Sequence, residues 1–259
     1  MNNIFNIFKN KKGNKPNSNG KWKEIEHLLQ PYKRKAWIPE VKDQVSNPHS
    51  SKFSGIPALS KGEEWPCCAN CNEPMQLFLQ LNAKDLPEQD RNVFEDGLLQ
   101  VFYCTNFEKQ CEVDCEAFFP FSKSTLVRIV HYKSSELAAL ERSPVRDAYP
   151  EKEIISWIKK DDYPNWEEVE SLGVTLTDEQ SDILGESGYP RPGDKLFGWP
   201  CWVQGVEYPD CPECGKAMQL VFQIDSEDNV PYMFGDSGCA HITQCPQHQN
   251  ILAIAWACC

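Results

Sequence analysis

Eight side chains fall into the spacing of metal ligands. Cys211-Pro212-Glu213-Cys214 is followed, after thirty residues, by Cys245-Pro246-Gln247-His248. Two thiolates on one tight turn and a thiolate and imidazole on another make four soft donors, the set that tetrahedral Zn²⁺ takes. Pro212 and Pro246 bend the backbone so that the flanking side chains can converge. The stretch also repeats. Shifting the chain by 143 positions sets Cys68 on Cys211 and Cys71 on Cys214, and a register of 141 sets Cys104 on Cys245 and Gly97 on Gly238. The fourth ligand of the first half has no counterpart of its own, and both Cys111 and Cys115 follow Cys104 at usable distances. Cys111 is preferred, because its loop from Cys104 is shorter and Cys115 opens the apolar run Ala117-Phe118-Phe119. The expectation is two structural Zn²⁺ sites, Cys68, Cys71, Cys104 and Cys111 in one, and Cys211, Cys214, Cys245 and His248 in the other. Cys67, Cys201 and Cys239 fall outside both sets.

The competing readings of these residues are weaker. A redox Cys-x-x-Cys needs no second ligand pair, yet each copy here has one. A zinc deaminase needs a His-x-Glu upstream of its cysteines, and none is present. Zinc held by four protein ligands has no position left for substrate, so no catalytic residue and no further cofactor are expected. An enzyme using His241 and acids such as Asp236 in a cleft between the halves is the alternative. A hydrogen-bonded structural histidine and turn-capping aspartates are the plainer readings of those residues.

Alternating apolar residues predict strands directly after each first knuckle, at Met75–Leu81 and Met218–Ile224. Strands at Leu98–Tyr103 and Cys239–Gln244 lead into the second ligand pairs, and Thr125–Val130 and Ile251–Ala257 close each half. Trp22, Ile25, Leu28 and Leu29 predict a helix ending at Pro31, packed against the first half. Between the halves, helical periodicity appears over Ser135–Arg142 and Lys152–Lys159. Trp166 with Val169 suggests another helix, and Thr177 with Gln180 a capping box for Asp178–Leu184. The expected fold is α+β and β-rich, internally duplicated: two antiparallel-sheet halves, each with a zinc-knuckle site, and a helical insertion between them. Its segments are a disordered basic tail (1–20), an N-terminal helix and linker (21–50), a first half (51–133), an acidic helical connection (134–195) and a second half (196–259).

The formal net charge is −12, but residues 1–36 carry +7, which leaves −19 for the rest. Such a body repels phosphate backbones, so nucleic acid is not expected as a partner, whereas a basic protein client is attracted. The apolar start Ile4-Phe5 and Ile7-Phe8 is too short for a leader and precedes the positive charges. With no stretch long enough for a membrane span, thirteen cysteines point to a reducing cytoplasm.

Ser51–Pro57, Trp65-Pro66 with its cysteines, Met75–Gln80, Gly97–Tyr103, Gly198–Gln204 and the turn Gly235-Asp236-Ser237-Gly238 resemble, in that order, the bacterial YwqG-like family, a domain of unknown function. The Cys-x-x-Cys–Met/Leu–Gln arrangement is more distantly similar to the programmed-cell-death-2 family. These resemblances imply a duplicated β-rich fold that holds another protein, as a chaperone-like or toxin-immunity protein. The expected function is therefore a cytoplasmic protein-binding module with structural zinc.

Overall fold

The computed structural model describes residues 21–44, 47–131 and 142–259, with the backbone alone at Arg91. Ten strands form one antiparallel sheet: β1 (Arg34–Asp43), β2 (Lys52–Phe53), β3 (Gln76–Asn82), β4 (Leu98–Tyr103), β5 (Thr125–Val130), β6 (Lys152–Asp162), β7 (Lys195–Phe197), β8 (Gln219–Asp225), β9 (Cys239–Gln244) and β10 (Leu252–Ala257). Their spatial order is β10-β9-β8-β7-β1-β6-β2-β3-β4-β5. The two separate sheets expected from the sequence are thus joined through the β1–β6 pair. Exchanging each strand of β1–β5 with the one five places later leaves this order unchanged. The edge strands β5 and β10 approach one another, and the Trp256 N–H bonds the Phe118 carbonyl, so the sheet curls toward closure.

The helical insertion is corrected most clearly at Lys152–Lys159. This stretch belongs to β6, which pairs along its length with β1. Glu40 faces Ser156 and Val41 faces Ile154, so Ile155 is the extra residue of a bulge. The bulge lets Ile154 and Trp157, three residues apart, both pack on the core. Such i, i+3 spacing is also the signature of a helix, and β-branched isoleucines with a long partner strand decide for the sheet. Ser135–Glu141 and the tail 1–20 lie outside the described residues. Two helices of the connection do form: α3 (Trp166–Ser171) follows a four-residue α2 (Cys111–Asp114), and α4 (Asp178–Glu186) starts at the Thr177/Gln180 capping box. The N-terminal helix α1 (Trp22–Leu29) packs on these rather than on the first half. Its Ile25 and Leu29 meet Tyr163, Val169, Ile183 and Leu184.

One core fills the concave side of the sheet and draws on both ends of the chain. Phe53 meets Phe222 with ring centroids 5.9 Å apart, and Phe78 stacks on Tyr103 at 5.0 Å and touches Phe234 at 6.0 Å. The Trp256 indole N–H donates to the Tyr103 hydroxyl at 2.8 Å, and the Tyr103 and Tyr232 hydroxyls both donate to Glu112.

Residues related by the 143-position shift also share local structure. Gln80 accepts the Ala58 N–H and Gln223 the Cys201 N–H, at 2.9 and 2.8 Å. Ser54-Gly55 and Phe197-Gly198 hold left-handed pairs, with φ 57° and 78° in one and 59° and 82° in the other. At both glycines a Cβ would collide with a carboxylate, Glu151 at Gly55 and Asp162 at Gly198. Those carboxylates neutralise two buried lysines: Lys52 lies 3.4 Å from Glu151, and Lys195 lies 2.9 Å from Asp162.

Candidate metal centres

Each first knuckle is a turn closed by its own backbone. Cys68 N–H bonds Glu73 O and Asn72 N–H bonds Cys68 O at 2.9 and 2.8 Å; Cys211 to Lys216 and Gly215 to Cys211 repeat this at the same lengths. The turn needs a left-handed residue. Asn72 supplies it at φ 60° and Gly215 at φ 65°, residue types that tolerate this region. The chain then enters β3 or β8, while β4 and β9 run antiparallel beside them and deliver Cys104 and Cys245 to the same end of the sheet. In the first half α2 adds Cys111; in the second a short turn adds His248.

The structure brings the eight side chains into two groups, Cys68, Cys71, Cys104 and Cys111, and Cys211, Cys214, Cys245 and His248, with donor atoms within 4.8 Å of one another in each. Cys115, which caps α2, stays outside. Zn–S bonds of about 2.3 Å imply a tetrahedral S···S edge of about 3.8 Å, and a shorter Zn–N bond an S···N edge of about 3.6 Å. Cys71 and Cys104 lie 3.8 Å apart and Cys214 and Cys245 3.7 Å, while His248 Nδ1 lies 3.5 Å from Cys211 and 3.8 Å from Cys245. These edges match a tetrahedral ion of this size, and the remaining donors lie within 4.8 Å. Backbone N–H groups turn toward the sulfurs as they do around thiolates: Glu73 to Cys71, Asn106 to Cys104, Lys216 to Cys214, and Gln247 and His248 to Cys245 at 3.4 and 3.3 Å.

Burial pushes the Cys104 thiol well above its usual range and Cys111 to about 11, because crowded sulfurs cannot all ionise unaided. Burial opposes ionisation of Cys245 as well, but its two N–H donors and neighbouring thiols lower it to about 6. A metal at either site would be bound by thiolates and would release protons on binding. An ion held by all four donors of either group would clamp strands and would have no open position for chemistry.

Of the remaining cysteines, Cys67 is exposed and Cys239 buried, while Cys201 is half-buried beside β8. His241 and Asp236 do not converge. Asp236 is exposed on the turn before β9, and His241 lies under Trp202, ring centroids 4.7 Å apart, in a dent that Asp236 does not line. Sequence reasoning missed the two buried lysine–carboxylate pairs. Their signal was available, since the 143-position shift sets Lys52 on Lys195.

Among the described residues no helix is long and apolar enough to cross a membrane. A search of curated proteins gave no match to the chain. A family model described as Domain of unknown function (DUF1963) matches residues 51–247, which hold every candidate ligand but His248, and the chain belongs to that family.

Proposed function

We propose that this chain is a protein-binding scaffold held in shape by two structural zinc ions, and that it takes a basic protein partner. The observation that carries this reading is the pair of four-donor groups, which enclose their metals and leave them only a structural role. Zinc suits the sulfur-rich donors, and reduced thiolates suit a cytoplasmic setting. The scaffold arises from duplication of a five-stranded unit, β1–β5 and β6–β10, within which residues 51–133 and 196–259 form the two metal-bearing halves. β1 and β6 are the first strands of the two copies, each paired into the other copy's part of the sheet. The palindromic strand order and matched left-handed turns support this extension.

Binding surface is available beside the first metal site. Its loop, residues 105–124, is longer than the 246–251 loop of the second site and displays Phe107, Val113 and Phe119, which are 70, 66 and 54% exposed. Exposed apolar side chains on one groove, as Phe107 and Val113 are, mark interaction surfaces, and the chain's −12 charge selects a basic partner, held as a chaperone client or neutralised as a toxin. The test is affinity purification of the full chain from its own cells at low salt, beside a Phe107→Ser/Val113→Ser variant. A stoichiometric basic protein is expected with the wild type and its loss with the variant. No stoichiometric protein contradicts the proposal.

A further inference from the structure

The two metal-bearing halves differ at one matched position on the outer face of the sheet. Gln100 of β4 and His241 of β9 correspond at the 141-position register, and their cross-strand neighbours are Arg128 of β5 and Ala255 of β10. In the first half Arg128 completes the arrangement. Its Nε donates to Gln100 Oε1 at 3.0 Å, its Nη2 lies 2.7 Å from Glu63, and its guanidinium carbon sits 5.6 Å from the centre of the Phe102 ring. In the second half Ala255 cannot reach that place. A dent of about 20 Å³ is left, lined by Trp202, Glu207, His241, Thr243, Ala255 and Trp256, with no lysine or arginine among its walls.

The floor of this dent is incomplete. His241 and Thr243 are 5 and 1% exposed, and neither His241 Nε2 nor Thr243 Oγ1 has a hydrogen-bond partner. An imidazole N–H of His241 donates to the Cys201 backbone, which leaves the unpartnered Nε2 as an acceptor on a ring that lines the dent. Glu207 stands exposed at the rim, and the 143-position shift sets it on Glu64, next to the Glu63 that pairs with Arg128. Lys195 is the nearby cation, and it is already neutralised by Asp162 at 2.9 Å. A buried acceptor, a carboxylate and indole walls are what a guanidinium group seeks.

We infer that the second half takes from its partner what the first half carries itself: an arginine side chain whose guanidinium donates to His241 and pairs with Glu207. This rests on the proposed binding of a basic protein and names the residue that anchors it. The volume admits one N–H corner of the group, the rest lying against the tryptophans and Glu207 at the mouth.

The test needs no partner. The metal-loaded full chain is titrated with N-acetyl-arginine amide, and in parallel with its neutral isostere N-acetyl-citrulline amide, while NMR follows the His241 imidazole and the Trp202 and Trp256 indole signals. Saturable shifts are expected with arginine and none with citrulline. Glu207→Gln, at an exposed position, should weaken binding about two- to five-fold. Ala255→Arg should abolish it by filling the slot from within. No saturable shift, or equal responses to both compounds, overturns the inference. Such a failure leaves the proposed binding role standing, because that role is tested by the complex and not by the probe.

Discussion

At the scale of single residues, the cysteines divide into those of the two four-donor groups and those outside them. Cys214→Ser removes one of the four donors of the second group, and structural zinc supplies roughly 10–16 kcal/mol of apparent binding energy in small peptides. It should sharply lower the unfolding midpoint and the metal content. Cys201→Ala, at a half-buried cysteine outside both groups, should cost about 1 kcal/mol with metal content unchanged. Scanning calorimetry with metal analysis distinguishes them, and equal effects would mean that the ligands are misassigned. His241 gives a second prediction. Burial, with Lys195 nearby, lowers its pKa from 6.5 to about 3, so between those values the unfolded chain binds a proton that the folded chain does not. Stability is therefore complete above pH 6.5 and falls as pH drops toward 3, by up to about 1.4 kcal/mol per pH unit. His241→Gln, which installs the residue of the matched position in the first half, should flatten that fall by one proton's worth. Denaturant titrations of both proteins between pH 7 and 4 would show it, and parallel curves would contradict it.

At the scale of elements, what is legible in the sequence is the apolar pattern of the strands that face the core. β3 and β8 stand where alternation puts them, and β4, β5, β9 and β10 where the repeat and their apolar or β-branched content put them, within a residue, because each has one face on the core. β1 was hidden, since Ala36 is its one buried residue and Pro39 sits mid-strand, where local preference argues against pairing. β2 and β7 are too short to show a period. β6 misled because its bulge turns a two-residue period into a three-residue one. The candidate ligands were more legible than the fold around them, since donor chemistry tolerates few substitutes while strand pairing is settled by distant partners. The buried lysines make a prediction at this scale. Lys195→Met strands Asp162, which also accepts the N–H groups of Trp199 and Arg191, and should cost about 3–5 kcal/mol. Gly198→Ala drives a Cβ into the same carboxylate at positive φ and should also destabilise. Urea unfolding measures both, and wild-type midpoints would remove the lysine–carboxylate pair from the account.

At the scale of the molecule, two ends that each carry a candidate metal centre share one sheet and one core. Phe53 on Phe222 and Trp256 on Tyr103 tie residues from opposite ends of the chain. The described chain should therefore unfold in one cooperative transition, with loss of either metal destabilising both halves. Two calorimetric transitions would mean that the halves are independent domains. The most direct test of the central claim is native mass spectrometry of the protein purified without added metal, counting bound zinc. Two zinc ions per chain are expected, falling to one in Cys214→Ser; a chain that carries none while folded and reduced would contradict the proposed zinc scaffold.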